Sequence, residues 1–143
     1  MITERIRDIR KEKDLRQIDV ARILNVSQAN YSRWENGTEL MPLKKLTIFC
    51  NYFNVSMDYV IGITRNNTST GTHELNSKTT GNNLKEFRKK HGITQAELAN
   101  FLNTTHSTIS AYESGKTTLL TAFAIQIAKK YHISLDWLCG RTK

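Results

Sequence analysis

The segment from Ser27 to Arg33 carries hydroxyl, amide and guanidinium side chains at close spacing. Gln28 and Asn30 are of the type that pairs bidentately with adenine, and Arg33 is of the type that pairs with guanine. No metal-type cysteine spacing, phosphate-binding glycine loop or arrangement of nucleophile and base accompanies them. This pattern therefore favours hydrogen bonding to the edges of nucleic-acid bases over catalysis.

The sequence around this segment recurs once, at a distance of 78 residues. Gln17–Ala21 returns as Gln95–Ala99, and Trp34–Gly37 returns as Tyr112–Gly115. The alignment needs no gap and contains 13 identities over 62 positions. Polar, glycine and apolar positions are kept together, which a chance match would not achieve. The chain is therefore interpreted as two copies of one domain.

The stretch between the copies is dominated by Asn, Thr, Ser and Gly, and Leu75 is its only aliphatic residue. Such a composition cannot bury enough apolar surface to order itself, so it predicts a flexible linker. We accordingly assign a first domain to residues 1–63, a linker to residues 64–82 and a second domain to residues 83–143.

Each copy shows the apolar periodicity of five short helices and no alternating strand pattern, which predicts an all-α fold. In the first copy the second helix is expected over Gln17–Leu24, and it ends at Asn25, a residue type that tolerates left-handed geometry. Ser27 is a good N-cap for a third helix, and Gly37 follows the end of that helix. In the second copy the first helix is expected over Leu84–Lys90.

Two helices joined by so short a turn cross steeply, and the second of them can then enter the major groove of DNA. Val20, Ala21 and Trp34 lie where they would form the core between the two helices. The polar side chains of the third helix would then face away from that core. The elements that must position the base-reading groups are thus the second helix, the turn and the third helix of each copy.

At this point the sequence resembles the phage-repressor and Cro-type (Xre) family of helix-turn-helix domains. The resemblance is carried by Gln-x-x-x-Ala on the second helix, Trp/Tyr-Glu-x-Gly at the end of the third, and the Ser-x-Asp-x-Leu-x-Gly-like segment Ser134–Gly140. It covers both copies, roughly 125 of 143 residues. The resemblance implies two tandem five-helix domains of the lambda-repressor type. It also implies a sequence-specific, double-stranded DNA-binding transcriptional regulator that acts as a repressor.

The predicted DNA contacts combine the residue types with this resemblance. In the first copy they are Gln17, Ser27, Gln28, Ala29, Asn30, Ser32, Arg33 and Thr38. In the second copy they are Gln95, Thr105, His106, Ser107, Thr108 and Lys116. Gln17 and Gln95 begin their helices, where a side-chain amide and free backbone N–H groups can hold a phosphate. Because Ala111 stands where the first copy has Arg33, the second copy has fewer strong base-reading groups; the alternative for each helix is a solvated polar face.

Two further identities link the first and third helices of each copy. Arg10 recurs as Arg88, and Glu35 recurs as Glu113. These paired identities suggest an ion pair that ties the first helix to the end of the third, as members of the family often have. We interpret this pair as structural rather than as a contact with DNA.

The chain has 21 Lys and Arg against 13 Asp and Glu, a formal net charge of +8. Residues 1–65 carry +3, residues 66–82 carry 0 and residues 83–143 carry +5, which predicts polyanionic partners for both copies. No apolar run is long enough to cross a membrane, no signal peptide is recognisable, and two cysteines cannot make a disulfide framework. We expect a cytoplasmic protein without a cofactor, a metal site, a small-molecule substrate or an enzymatic activity.

The length of the linker bears on how the copies would meet DNA. A linker of about 19 residues has an r.m.s. span of about 25 Å and an extended limit of about 60 Å, against about 34 Å between adjacent half-sites. One chain can therefore act as an intrachain pseudo-dimer on two half-sites of different sequence, the alternative being a homodimer that uses one copy for assembly. The alternative from another class is a protein-interaction module, an antitoxin or a dimerisation scaffold, in which the second copy does not bind DNA.

Overall fold

The computed structural model describes residues 2–68 and 70–143, and the chain divides into unit 1, residues 1–72, and unit 2, residues 73–143. Met1 and Ser69, which the sequence interpretation placed in the first domain and in the linker, lie outside the described residues. The described residues form helices, turns and irregular segments without a strand. This confirms the predicted all-α class and the tandem arrangement of two helical domains.

The helices of the two units follow the same order. In unit 1 they are α1 (Ile2–Glu12), α2 (Gln17–Ile23), α3 (Gln28–Asn36), α4 (Leu43–Phe53) and α5 (Met57–Val60). In unit 2 they are α6 (Ser77–Lys90), α7 (Gln95–Phe101), α8 (His106–Ser114), α9 (Thr121–Tyr131) and α10 (Leu135–Leu138).

The core of unit 1 gathers around the apolar face of α4. Leu46, Phe49 and Cys50 on this face are fully buried. The other helices each contribute buried apolar side chains, namely Ile6, Ile9, Val20, Ala21, Tyr31, Trp34, Met57 and Val60. Each large apolar side chain buried in this way stabilises the unit by about 1.5–3 kcal/mol.

The core of unit 2 has side chains of different size at the matching positions of the repeat. Its α9 places the small residues Ala124 and Ala128 in the core, where α4 places Leu46 and Cys50. A larger side chain stands on α6, where buried Phe87 takes the place that Ile9 has on α1.

α6 begins earlier than the sequence interpretation allowed. The Asn76 side-chain oxygen accepts hydrogen bonds from the backbone N–H groups of Lys78 at 2.9 Å and Thr79 at 3.1 Å, which caps a helix that starts at Ser77. Residues 77–82, which were assigned to the linker, therefore belong to the first helix of unit 2.

The reason for this difference is the packing of Gly81 against α8. A Cβ atom at Gly81 would lie 2.3 Å from the Tyr112 carbonyl oxygen and 2.7 Å from the Glu113 carbonyl oxygen. Only glycine allows the two helices to approach so closely. The segment whose composition predicts a linker thus contains Gly81, a glycine that the close contact between α6 and α8 requires.

Candidate nucleic-acid interface

The helix-turn-helix of unit 1 consists of α2, a tight turn and α3. The turn passes through Asn25, whose φ of 57° lies in the left-handed region that asparagine tolerates. Ser27 then caps α3, because its hydroxyl oxygen accepts a hydrogen bond from the Asn30 backbone N–H at 3.1 Å. Unit 2 repeats the turn at Asn103, with a φ of 56°, and the cap at Thr105. Short-range chemistry therefore orients α3 and α8 in the same way.

α3 turns an apolar face to the core and a polar face to solvent. Tyr31 and Trp34 are buried, and their rings meet edge to face at a centroid distance of 6.2 Å. Ser32 is half-buried. The other predicted base-reading residues of this helix are exposed, namely Gln28, Ala29, Asn30 and Arg33. The fold thus brings these predicted side chains together on one accessible strip.

Two of the side chains on this strip bind each other. Arg33 Nη1 donates a hydrogen bond to Asn30 Oδ1 at 2.7 Å, one turn away on the same helix. The bond uses one of the two acceptor positions on the oxygen that Asn30 would also use in a bidentate pair with adenine. It also orients the guanidinium of Arg33, which retains further N–H donors. Asn30 thus orients Arg33 on the exposed face of α3, and the contact of either residue with a base stays a prediction.

The matching face of α8 is smaller and carries no permanent charge. His106, Ser107 and the neighbouring Ser110 are exposed. Thr105 and Thr108 are occupied within the helix, since Thr105 Oγ1 accepts from the Thr108 backbone N–H at 3.2 Å and lies 2.9 Å from Thr108 Oγ1. Two of the predicted hydroxyl contacts are thus engaged in capping.

A shallow polar groove of about 300 Å³ runs along this face of α8. It is lined by His106, Ser107, Ser110, Ala111, Ser114 and Lys116. Lys116 supplies its only permanently charged side chain among those described. The groove can hold an anionic group or a polar backbone, but it offers few donors that distinguish one base from another.

The ion pair expected between the first and third helices is present in both units. Arg10 Nε and Nη2 donate to the two carboxylate oxygens of Glu35 at 2.6 and 3.0 Å. In unit 2, Arg88 and Glu113 make the same bidentate contact at 2.7 and 3.0 Å. Each arginine also donates to a backbone carbonyl oxygen near the start of the second helix, that of Leu15 in unit 1. The pair therefore holds the first and third helices and the approach to the second.

These contacts keep both carboxylates ionised. Burial disfavours the charged form of Glu35, but the interactions of its carboxylate with Arg10, Tyr31 and Gln17 outweigh burial, so that the pKa of Glu35 lies below its ordinary value of 4.5. Burial and the hydrogen bonds from Arg88 and Gln95 have the same net effect on the pKa of Glu113. The charged pair is the form that the fold stabilises.

The two glutamines predicted to hold phosphates belong to these clusters. Gln17 Nε2 donates to Glu35 Oε1 at 3.2 Å, and Gln95 Nε2 donates to Glu113 Oε1 at 3.0 Å. One amide hydrogen of each glutamine is thus directed inward, and the second hydrogen and the oxygen have no hydrogen-bond partner among residues 2–68 and 70–143. Their role at a phosphate stays a prediction, now with the side-chain orientation defined.

The loops that follow α3 and α8 differ in charge. Gly37 and Gly115 end the helices with φ values of 82° and 79°, a conformation that favours glycine. The predicted contact residues Thr38 and Lys116 come next, and both are exposed. The following residue of unit 1 is the acidic Glu39.

One exposed cation beside the loop of unit 2 was absent from the predicted contacts. Lys78 lies in the first turn of α6, against Gly115. The available signal was the N-cap residue Asn76 followed by the buried face of Thr80, Leu84 and Phe87. The Gly- and Asn-rich composition of the segment predicts a linker, so the start of this helix was not recognised from the sequence.

Within residues 2–68 and 70–143, no group of three or more His, Cys, Asp or Glu side chains could hold a metal ion. None of the helices in these residues combines the length and the apolarity needed to span a membrane.

Comparison with known proteins adds a family to this geometry. Residues 6–60 and 84–138 each match the family model described as helix-turn-helix. Over 62 residues, 43% of this chain and 39% of the other protein, the sequence is 40% identical to the antitoxin PezA of Streptococcus pneumoniae serotype 4, so the match spans about two fifths of that protein. Over 93 residues, 65% of this chain and 76% of the other, it is 30% identical to the uncharacterized HTH-type transcriptional regulator YobD of Bacillus subtilis. No solved structure matches significantly.

Proposed function

The chain belongs to the phage-repressor and Cro-type helix-turn-helix family in two tandem copies, and from that premise we propose that it is a sequence-specific regulator of transcription that reads double-stranded DNA with α3 and α8. A regulator of this kind acts where the DNA is, and we therefore place it in the cytoplasm. Its action is repression, and it requires neither a cofactor nor catalysis.

The observation that carries this proposal is the exposed strip of α3. Arg33 stands free of the core, is oriented by Asn30 at 2.7 Å, and projects from a helix that the turn at Asn25 presents to solvent. Arginine in the major groove binds guanine O6 and N7 bidentately, which gives about 1–3 kcal/mol of discrimination against a wrong base. The relative named a transcriptional regulator supports the same function.

The two units are expected to read different sequences. Gln28, Asn30 and Arg33 of unit 1 correspond to His106, Thr108 and Ala111 of unit 2. One chain would then act as an intrachain pseudo-dimer on two unlike half-sites. A homodimer that uses one unit for DNA and the other for assembly would instead select a palindrome.

A second function is favoured by one specific observation, the similarity to a protein named an antitoxin. In this alternative, the small polar face of α8 is directed to a protein partner rather than to DNA. Unit 1 would keep its DNA-binding strip, and unit 2 would be a protein-interaction module or a dimerisation scaffold.

Selection from a pool of random duplex DNA with the full chain tests both functions. The expected result is an enriched site without two-fold symmetry, bound with an affinity that falls steeply between about 50 and 200 mM salt because phosphate contacts release counterions. A perfect palindrome would support the homodimer. An absence of enrichment, or binding insensitive to salt, would contradict the regulator and favour the interaction module.

A further inference from the structure

The first turn of α6 and the loop that follows α8 form one continuous surface. A Cβ atom placed on Gly115 would lie 2.8 Å from Lys78 Cγ and 2.9 Å from Lys78 Cα, so the backbone and stem of Lys78 lie directly on this glycine. Ser77 Oγ and Thr118 Oγ1 lie 2.8 Å apart and share a hydrogen bond. The first turn of α6 is thus fastened to the loop beside the candidate interface.

This packing brings two lysines to the same place. Lys78 rests on Gly115, and Lys116 is the next residue along the loop; both side chains are exposed. Since the Lys78 stem packs on the loop as far as Cγ, part of its side-chain freedom is already lost before an anion binds. The surface therefore presents two exposed lysines on neighbouring backbone segments, beside the hydroxyl groups of Ser77 and Thr118.

The corresponding loop of unit 1 lacks these features. The residues aligned with Lys116, Thr117 and Thr118 are Thr38, Glu39 and Leu40. Gly37 meets only the Thr3 methyl group, at 3.5 Å from a Cβ placed there. No cation of unit 1 is positioned on its glycine in this way among the described residues, and Glu39 would repel a phosphate.

Resting on the function proposed above, we propose that unit 2 binds the DNA backbone with a composite surface in which Lys78 and Lys116 each neutralise one phosphate. Lysine ammonium groups and hydroxyls are typical partners of phosphate oxygens, and such contacts fix the position of a protein on the duplex without reading its sequence. The first turn of α6 is in this way part of the DNA-binding surface. The strength of binding by unit 2 thus depends on the backbone, whereas unit 1 contributes base recognition.

The salt dependence of binding by the full chain tests this assignment. Binding to a duplex of the selected sequence and to a random duplex of equal length is measured from 50 to 200 mM salt for wild type, Lys78→Gln, Lys116→Gln and the double variant. Each single variant should reduce the slope of log K against log salt by about 0.9, and the double variant by about 1.8, on both duplexes alike. This corresponds to a salt-induced loss of affinity that is about three- to fourfold smaller for each lysine over this range.

Two controls separate charge from structure. Lys129→Gln removes an exposed lysine of α9 and should leave the slope unchanged. Lys78→Arg keeps the charge and should also keep the slope. An unchanged thermal unfolding midpoint for Lys78→Gln would show that its reduced slope comes from a lost phosphate contact and not from unfolding of the variant.

The outcomes distinguish this proposal from the function on which it rests. If wild type binds DNA with a salt-dependent affinity but Lys78→Gln has the wild-type slope, the composite surface is wrong and the regulator stands. A slope reduced equally by Lys129→Gln would also overturn it, since any lysine would then suffice. If wild type binds neither duplex, both proposals fail.

Discussion

At the scale of single residues, one buried glutamate in each unit links the stability of the fold to the candidate interface. The carboxylate of Glu35 accepts hydrogen bonds from Arg10 and from Gln17, and Gln17 is the predicted phosphate contact at the start of α2. Glu113 has the same relation to Arg88 and Gln95. One buried acid in each unit thus both joins helices and orients a surface amide.

Removal of one member of this cluster should destabilise its own unit. Glu35→Ala leaves the Arg10 guanidinium largely buried and without its carboxylate, a change that costs about 3–5 kcal/mol. The measurement is the thermal unfolding of unit 1, followed by Trp34 fluorescence in a Trp137→Tyr background. The substituted tyrosine is the aromatic residue type at the matching position of unit 1, Tyr59.

The internal repeat supplies the control for this prediction. In a Trp34→Tyr background, Trp137 should report an unchanged unfolding of unit 2 for Glu35→Ala and a destabilised one for Glu113→Ala. An unchanged Trp34 transition in Glu35→Ala would contradict the structural role of the pair.

The same carboxylates predict a dependence of stability on pH. Because the pKa values of Glu35 and Glu113 are lowered in the folded state, their contribution is complete above the ordinary pKa of 4.5 and is lost as the pH falls through the folded-state pKa. The urea midpoint of the chain should therefore fall on acidification below about pH 4.5. Glu35→Gln and Glu113→Gln should flatten this part of the profile, and a midpoint that rises on acidification would be inconsistent with the charged pairs.

At the scale of helices, local patterns predicted most of the boundaries. α3 begins after the expected cap Ser27 and ends at the expected Gly37, and α2 (Gln17–Ile23) lies within one residue of its expected limits. Caps and glycine ends are short-range chemistry, so a single sequence is sufficient to find them. The start of α6 was missed because its glycine serves a contact with α8, which lies more than 30 residues away.

The crossing of α6 and α8 predicts a reversal of the usual effect of glycine substitution. Gly→Ala within a helix normally stabilises by about 0.5–1 kcal/mol. Gly81→Ala should instead destabilise unit 2 by about 1–3 kcal/mol, because its methyl group would meet the Tyr112 carbonyl oxygen at 2.3 Å. The measurement is the urea unfolding of unit 2, followed by Trp137 fluorescence in the Trp34→Tyr background.

Thr3 is the matched control, since it occupies the position of Gly81 in unit 1 and already carries a side chain. Thr3→Ala, measured by Trp34 fluorescence, should change the stability of unit 1 by less than about 0.5 kcal/mol. A stabilising Gly81→Ala would show that α6 and α8 do not approach as closely as described.

At the scale of the whole molecule, the two copies of one domain carry candidate DNA-binding surfaces of different chemistry. Unit 1 has Arg33 and Asn30 on its third helix and the acidic Glu39 in the following loop. Unit 2 has small polar residues on α8 and lysines at positions 78 and 116 beside it. The net charge of +3 on residues 1–65 and +5 on residues 83–143 agrees with this division.

This division predicts that a single substitution relaxes only half of the DNA site. Arg33→Ala should lower the preference for guanine at one position of one half-site by about 1–3 kcal/mol and leave the other half-site unchanged. The measurement is selection from random duplex DNA with wild type and variant. Lys44→Ala, an exposed lysine of α4, is the control and should leave the selected sequence unchanged. Relaxation in both halves would indicate that unit 1 occupies both, as in a homodimer.

The sequence by itself determined the repeat, the helix order, the family and the ends of α3, because each of these depends on residues close together or on a comparison of the chain with itself. It also pointed to the Arg10–Glu35 pair, since the same two residue types recur 78 positions later. Only the tertiary structure showed that Gln17 binds Glu35, that Gly81 packs directly against α8, and that Lys78 lies on Gly115. These contacts join residues 18 to 37 positions apart, and no local pattern records which side chains meet when helices pack.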